Sequence, residues 1–256
     1  MKFHVTGQEG GPAVLLSAGL GGAAAFWAPQ LPALERYFEV IHVDHRGTGA
    51  NREPLPEGYT IAHMAQDALE VLDCAGVRSA HVLGHALGGL VALELGRMAP
   101  ERVNRLVLVN AWAKVDVHTE RCFDIRLGIL AAQGPAAYVA AQPLFLHSAE
   151  YASAHHARIL AEVAHGTAHF QGEDTIRKRI GALRAFDARA DLARITAPCL
   201  VAAAKDDLLV PWTASKALAE GLPNATLWLT DHGAHAFTVE RPEPFNTDML
   251  RFLLPG

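Results

Sequence analysis

Gly84-His85-Ala86-Leu87-Gly88-Gly89 puts glycines two before and two after a central residue, between a short apolar run ending at Leu83 and a stretch with helical spacing. That spacing suits a nucleophile elbow, a strained strand-to-helix turn whose flanking positions leave no room for side chains. The chemistry of such a turn comes from its central side chain, ordinarily a hydroxyl, a thiol or a carboxylate. Here the central residue is Ala86, and no covalent intermediate can form on a methyl group. Further along lie adjacent acids, Asp206 and Asp207, and then His235 in Gly233-Ala234-His235. The order elbow, acid, histidine is that of a carboxylate-oriented acid–base histidine working beside an elbow. His232 competes with His235, which has the better spacing to the last helix. His85 neighbours the elbow and is expected to pack beside it rather than react. His155, His156, His165 and His169 cluster in the sequence, but clustering alone is weak ground for a metal site, and none is expected.

These groups need elements to hold them. Val14–Ser17, Val40–Val43, Ala80–Leu83, Val103–Val109, Cys199–Ala203 and Thr226–Leu229 are short apolar runs, the pattern of strands buried on both faces. Helical spacing separates them, notably Ile61 to Ala75 behind a Thr60 N-cap, Ala86 to Met98, Thr213 to Gly221 and Pro244 to Leu254. Strands alternating with helices predict an α/β class protein with a mostly parallel sheet flanked by helices. From Trp112 to Arg194 the alternation stops and only helical segments are readable. The expected organisation is therefore a core of residues 1–111 and 195–256, with residues 112–194 forming a helical lid over the C-terminal ends of the strands, where open α/β sheets bind ligands.

The chain has 256 residues, half of them hydrophobic, and a net charge of −5. That is enough for a sizeable core, with no basic stripe for nucleic acid. Cys74, Cys122 and Cys199 are odd in number and lack metal-ligand spacing, so they read as free thiols in a reducing compartment. Met1–Gly7 lacks the apolar run of a signal peptide, and the uncharged stretch Gly10–Leu34 is broken by Pro12, Gly19, Gly21, Gly22, Pro29 and Pro32. The expectation is a soluble, cytoplasmic monomer or homodimer that meets a small-molecule substrate, without nucleic acid, membrane or cofactor.

Together the elbow, the later acid and histidine and the alternating elements resemble the α/β-hydrolase fold, with its eight-stranded type of sheet. That resemblance favours Asp207 over Asp206, because the fold's acid stands four residues before a proline like Pro211. It also makes Ser17-Ala18-Gly19-Leu20-Gly21-Gly22 an oxyanion loop, with the N–H groups of Leu20 and Leu87 as donors to developing negative charge.

Within that fold the chain is similar to the RutD family of the Rut pyrimidine (uracil) degradation pathway. The matching segments include Trp27-Ala28-Pro29-Gln30-Leu31, Asp44-His45-Arg46-Gly47-Thr48-Gly49 and the Ala86 elbow. The more specific matches lie in the helical segment: His118-Thr119-Glu120-Arg121-Cys122-Phe123, Ala141-Gln142-Pro143-Leu144-Phe145-Leu146 and Ala168-His169-Phe170-Gln171-Gly172. The resemblance implies a hydrolase of carbon–nitrogen bonds other than peptide bonds, acting on an aminoacrylate or carbamate intermediate. Ala234 stands where relatives often have glycine. The expected substrate-side residues are Gly19, Trp27 and Arg121, with Trp112, Phe123, Tyr138 and Phe145 as further aromatic candidates that could equally be core. Two alternatives stand beside this reading: a binding protein of this fold that has lost catalysis, and a serine esterase carrying a Ser-to-Ala change at Ala86.

Overall fold

Residues 1–254 are described, in a computed structural model of the chain. The strands are β1 (His4–Gly7), β2 (Ala13–Ser17), β3 (Glu39–His42), β4 (Ala80–His85), β5 (Val103–Val109), β6 (Cys199–Ala204) and β7 (Ala225–Thr230). They form one sheet in the order β1-β3-β2-β4-β5-β6-β7. Only β1 is antiparallel, pairing with β3 on the edge; the other neighbours are parallel. Every residue of β2, β4 and β6 is buried, the consequence of covering both faces of a parallel sheet.

The helices are α1 (Leu31–Leu34), α2 (Ile61–Cys74), α3 (Leu87–Met98), α4 (Val117–Leu146), α5 (Ala149–Ala154), α6 (His156–Ala168), α7 (Glu173–Ala185), α8 (Trp212–Gly221), α9 (Phe237–Glu240) and α10 (Pro242–Leu253). One face of the sheet packs on α2, α3 and α8 through Ile61, Leu72, Leu90, Val91 and Leu218. The opposite face packs on α1, α9 and α10 through Leu34, Phe237, Phe245, Met249 and Leu253. The Thr60 side chain caps α2 by accepting from the His63 N–H.

One expectation is corrected. The sheet has seven strands among the described residues, not eight. Ahead of β2, residues 8–12 form a turn with Gly10 at φ 72° and Pro12, which has no N–H for a ladder, so a single strand precedes β2. That strand, β1, was not readable in a segment with exposed polar positions.

The segment between β5 and β6 is helical, from α4 through α7. Among the described residues α4 is the one helix long and apolar enough to cross a membrane by length and composition. It is really two helices meeting at Gly134 (φ 80°, ψ −175°), with Pro135 and Pro143 inside the second half and the charged Arg126 buried in the first.

Burial of histidines in this fold has a measurable cost at low pH. His45, His81 and His85 are 8%, 8% and 4% exposed. Burial lowers the pKa of each, with Arg179 adding to the effect at His45, Arg105 at His81 and His235 at His85, while a backbone hydrogen bond at His85 opposes it; His81 falls to about 4. In the unfolded chain each titrates near 6.5. Below that pH the unfolded state binds more protons, so stability is fully present above about pH 6.5 and is lost as pH falls, by up to about 1.4 kcal/mol per pH unit for each such histidine. His81→Leu is expected to flatten this slope by about one proton's worth between pH 6.5 and 5, read from urea midpoints; an unchanged slope would mean that His81 protonates in the folded state.

Candidate active site

The sheet delivers four loops to one place, those after β2, β4, β6 and β7. β4 ends at the elbow, where Ala86 has φ 48° and ψ −112°, a conformation that costs an alanine about 1–3 kcal/mol. The glycines are there for steric reasons. A Cβ on Gly84 would stand 2.2 Å from the Gly88 carbonyl oxygen, and one on Gly88 2.1 Å from that of Ser17. The Ala86 N–H is tied to the Val109 carbonyl at 2.8 Å, and α3 begins at Leu87.

β6 leads to the acid loop. Asp207 Oδ1 accepts from the N–H groups of Leu209 (2.8 Å) and Val210 (3.0 Å), while Oδ2 lies 2.7 Å from His235 Nδ1. Asp207 and His235 are 9% and 2% exposed. The neighbouring Asp206 does other work: its carboxylate accepts from the N–H groups of Gly233 and Ala234, bracing the histidine loop. His232 is exposed and 4.0 Å from Asp206. A carboxylate on Nδ1 fixes the histidine as its Nδ1–H tautomer, which leaves Nε2 with a lone pair; Nε2 makes no hydrogen bond among the described residues. Ala234 takes φ 52°, the left-handed region, and this is the physical reason a glycine suits that position.

His235 is also held from below. Its carbonyl accepts from Asn110 Nδ2 at 2.8 Å and lies 3.0 Å from His85 Nε2. His85, kept neutral by burial, is sandwiched by Phe26 (centroids 4.3 Å apart) and His235 (4.6 Å). Asn110 and Phe26 were not singled out from the sequence. Asn110, at the end of β5 with φ 48°, carried a usable signal, because asparagine is one of the few residues that tolerates this region.

The Ser17–Gly22 loop, expected from the sequence to be an oxyanion loop, follows β2. Gly19 lies against His85: a Cβ there would sit 2.8 Å from His85 Nδ1. Gly22 N–H closes a turn onto the Gly19 carbonyl at 2.9 Å. The N–H groups of Leu20 and Leu87 donate to no acceptor among the described residues, so both remain available.

The helical segment contacts the acid loop, the histidine loop and the loop after β2. From α4, Thr119 Oγ1 donates to the Leu209 carbonyl at 2.9 Å, and Leu146 at its end accepts from Ala236 N–H at 2.9 Å. Gln171 and Arg179 donate to the carbonyl of Leu20.

Two expected substrate-side residues are elsewhere. Trp27 is fully buried in the core beneath the sheet, with Leu16, Leu34 and Phe237, because the short helical turn carrying it faces the α10 side; its neighbour Phe26 faces His85. Arg121 is exposed on α4. Arg126, five residues on, is the buried arginine, 4% exposed. Its Nη2 donates to Tyr138 Oη at 3.2 Å and to Gln142 Oε1, while the rings of Phe123, Tyr138 and Phe145 surround it at 5.2, 5.5 and 5.6 Å. Its Nε is buried without a partner. Trp112 is buried in the same apolar cluster as Ala86. Among the clustered histidines, His155 and His169 place Nδ1 on the carbonyls of Tyr151 and His165 one turn earlier.

A family model described as the alpha/beta hydrolase fold matches residues 12–242. A RutD protein of Variovorax paradoxus (strain S110), named as a carbamate hydrolase, is 54% identical over 254 residues, which is 99% of this chain and 96% of the relative. A RutD protein of Agrobacterium fabrum (strain C58 / ATCC 33970), with the same name, is 49% identical over 258 residues, 100% of this chain and 99% of the relative. Among solved structures, a hydrolase from Pseudomonas aeruginosa PA01 superposes with a TM-score of 0.89 at 31% identity, over 99% of this chain and 94% of that one. An enol-lactonase from Burkholderia xenovorans LB400 gives 0.89 at 25% identity, over 98% and 95%.

Proposed function

Because this chain belongs to the α/β-hydrolase family, and within it to the RutD group, we propose that it is a hydrolase of pyrimidine catabolism that acts on a small carbamate or aminoacrylate by direct attack of water. The observation that carries this reading is the strained elbow at Ala86, kept beside an assembled Asp207–His235 pair although no nucleophile stands on it. A backbone strained by about 1–3 kcal/mol persists where it serves a site.

Each group has a role. Asp207 holds Nδ1–H, and Nε2 of His235 takes a proton from a water standing beside the Ala86 methyl, where a serine hydroxyl would otherwise be. For a carbamate, the hydroxide equivalent adds to the carbon, the carboxyl oxygen gathers charge in front of the Leu20 and Leu87 N–H groups, and the amine leaves with the proton returned by His235. For the imine tautomer of aminoacrylate, water adds across C=N. The nitrogen receives the proton, and ammonia departs as the added oxygen becomes a carbonyl. An oxyanion hole acting without a nucleophile accelerates such steps by roughly 10³–10⁴ over water, useful for an intermediate that already decays by itself. Helices α4–α7 act as the lid that excludes bulk solvent.

Arg126 replaces Arg121 as the proposed partner of the substrate's carboxylate. One turn before it, Cys122 Sγ touches the Leu208 carbonyl beside Asp207; next to its ring neighbour Phe145, Leu146 docks on Ala236 beside His235. Arg126 thus stands between the segments anchored to the two halves of the pair. Arg126→Met is expected to raise KM for an anionic substrate about 10–100-fold, the loss of one charge-assisted hydrogen bond, with a smaller change in kcat. Equal KM values would remove it from the substrate site.

The reading is tested by following 3-aminoacrylate and a simple carbamate with and without the protein. Faster loss, saturable in substrate, supports it. Binding of the intermediate with no acceleration would instead mark a binding protein of this fold.

A further inference from the structure

Arg179 of α7 is fully buried, 0% exposed, and no carboxylate lies within salt-bridge distance among the described residues. Its donors go to the oxyanion loop. Nε donates to the Leu20 carbonyl at 3.2 Å, and Nη2 to the Gly19 carbonyl at 3.3 Å and to His45 Nδ1 at 2.9 Å. Nη1 is buried without a partner. Arginine can only donate, so His45 presents a bare Nδ1 to it and its Nε2–H donates to Ser17 Oγ at 3.0 Å. Ser17 in turn packs its carbonyl against Gly88 at the elbow.

A peptide bond is planar and, among the described residues, trans; its C=O and N–H therefore point to opposite sides. Holding the Gly19 carbonyl on the Arg179 side directs the Leu20 N–H away from it. Gly19 itself lies on His85, the residue before Ala86 in the elbow, which puts the freed Leu20 N–H in the neighbourhood of the elbow. A cation on the carbonyl end also polarises the peptide and strengthens its N–H as a donor. A carboxylate partner would cancel that field, and none is present among the described residues. The charge is costly to bury, and burial lowers its pKa to about 10; an arginine serving packing alone would not need this arrangement.

We propose that Arg179 is a positioning residue that aims and polarises the Leu20 N–H of the oxyanion hole from the helical segment, through its bond to the Gly19 carbonyl, while its bond to the Leu20 carbonyl steadies the next peptide of the loop. This rests on the oxyanion role given above to Leu20.

The test compares wild type with Arg179→Met and Arg179→Lys, and with Gln171→Leu, which removes only the 3.3 Å second donor to the Leu20 carbonyl. Carbamate turnover, affinity for acetate as a small oxyanion probe, and the orientation of the Leu20 N–H vector from residual dipolar couplings are measured. Arg179→Met is expected to lower kcat by about 10²-fold or more, the loss typical of an oxyanion-hole donor, with KM within a few-fold, weaker acetate binding and a rotated Leu20 vector. Arg179→Lys recovers part of kcat because it keeps the charge but not the fork. Should Arg179→Met fail to fold, the lysine and Gln171 variants carry the test through a smaller kcat loss and a displaced vector. A folded Arg179→Met with wild-type kcat and an unmoved Leu20 vector overturns the proposal. If wild type neither turns over carbamate nor binds acetate, the functional reading fails, and the Leu20 vector alone then decides whether Arg179 holds the loop.

Discussion

His235→Ala is expected to lower kcat for carbamate or aminoacrylate hydrolysis by about 10²–10⁴-fold, the range supplied by general acid–base catalysis, with little change in KM. The imidazole is almost enclosed and its one strong side-chain partner is Asp207 at 2.7 Å, so its removal takes away the group that moves the proton. Asp207→Asn provides the companion measurement. An amide in that place can still accept from the Leu209 and Val210 N–H groups that now bond Oδ1, so the loop holds, but its NH₂ can donate to Nδ1 and move the proton to Nε2. The base is then in the wrong tautomer. The two losses are expected to be similar, and the double variant no worse than the weaker single one, because the residues act as a unit. Full turnover in a folded His235→Ala protein would remove the acid–base role.

Ala86→Ser is expected to turn the protein into an esterase. Serine and alanine have the same Cβ, so the turn at φ 48° accepts the change at no further steric cost. A hydroxyl at that point meets a histidine already oriented by a carboxylate and, on the proposed reading, the Leu20 and Leu87 N–H donors, which together are the requirement for acyl-enzyme formation. With p-nitrophenyl acetate a burst stoichiometric with protein is expected, at a rate on the order of 10²-fold or more above the Ala86 protein. Carbamate turnover should fall at the same time, because the hydroxyl takes the space of the attacking water. No burst would mean that His235 Nε2 does not reach position 86. A burst without loss of carbamate turnover would favour a serine esterase that has lost its serine.

Much of this molecule is written in short local patterns. Strands β2 through β6 were readable because strands inside a doubly covered parallel sheet are mostly apolar, β7 because its partly exposed edge still carries the apolar run Leu227-Trp228-Leu229, and α2 because Thr60 caps it. The seventh strand of the sheet, β1, was missed because an edge strand with exposed positions has no such signature. The elbow was readable because Gly84 and Gly88 answer a clash that any side chain would produce. The helical segment was readable as helix but not as to which side faces the site. Arg121 and Arg126 are five residues apart, about 140° around a helix, and only docking of α4 on the acid and histidine loops decides which is buried. The same holds for Phe26 and Trp27, adjacent in sequence and in edge-to-face contact at 5.1 Å, of which Trp27 is fully buried in the core and Phe26 reaches His85.

The amino-acid order alone thus established a parallel α/β sheet, an elbow without a nucleophile, and the acid–histidine order that follows it, because each depends on constraints within a few residues of chain. Contacts between distant segments settled the rest: the pairing of Asp207 rather than Asp206 with His235, the support of His235 by Asn110 and His85, and the grip of Arg179 on a loop 160 residues earlier. Those arrangements depend on which faces of separate elements bury against one another, and no local pattern encodes that.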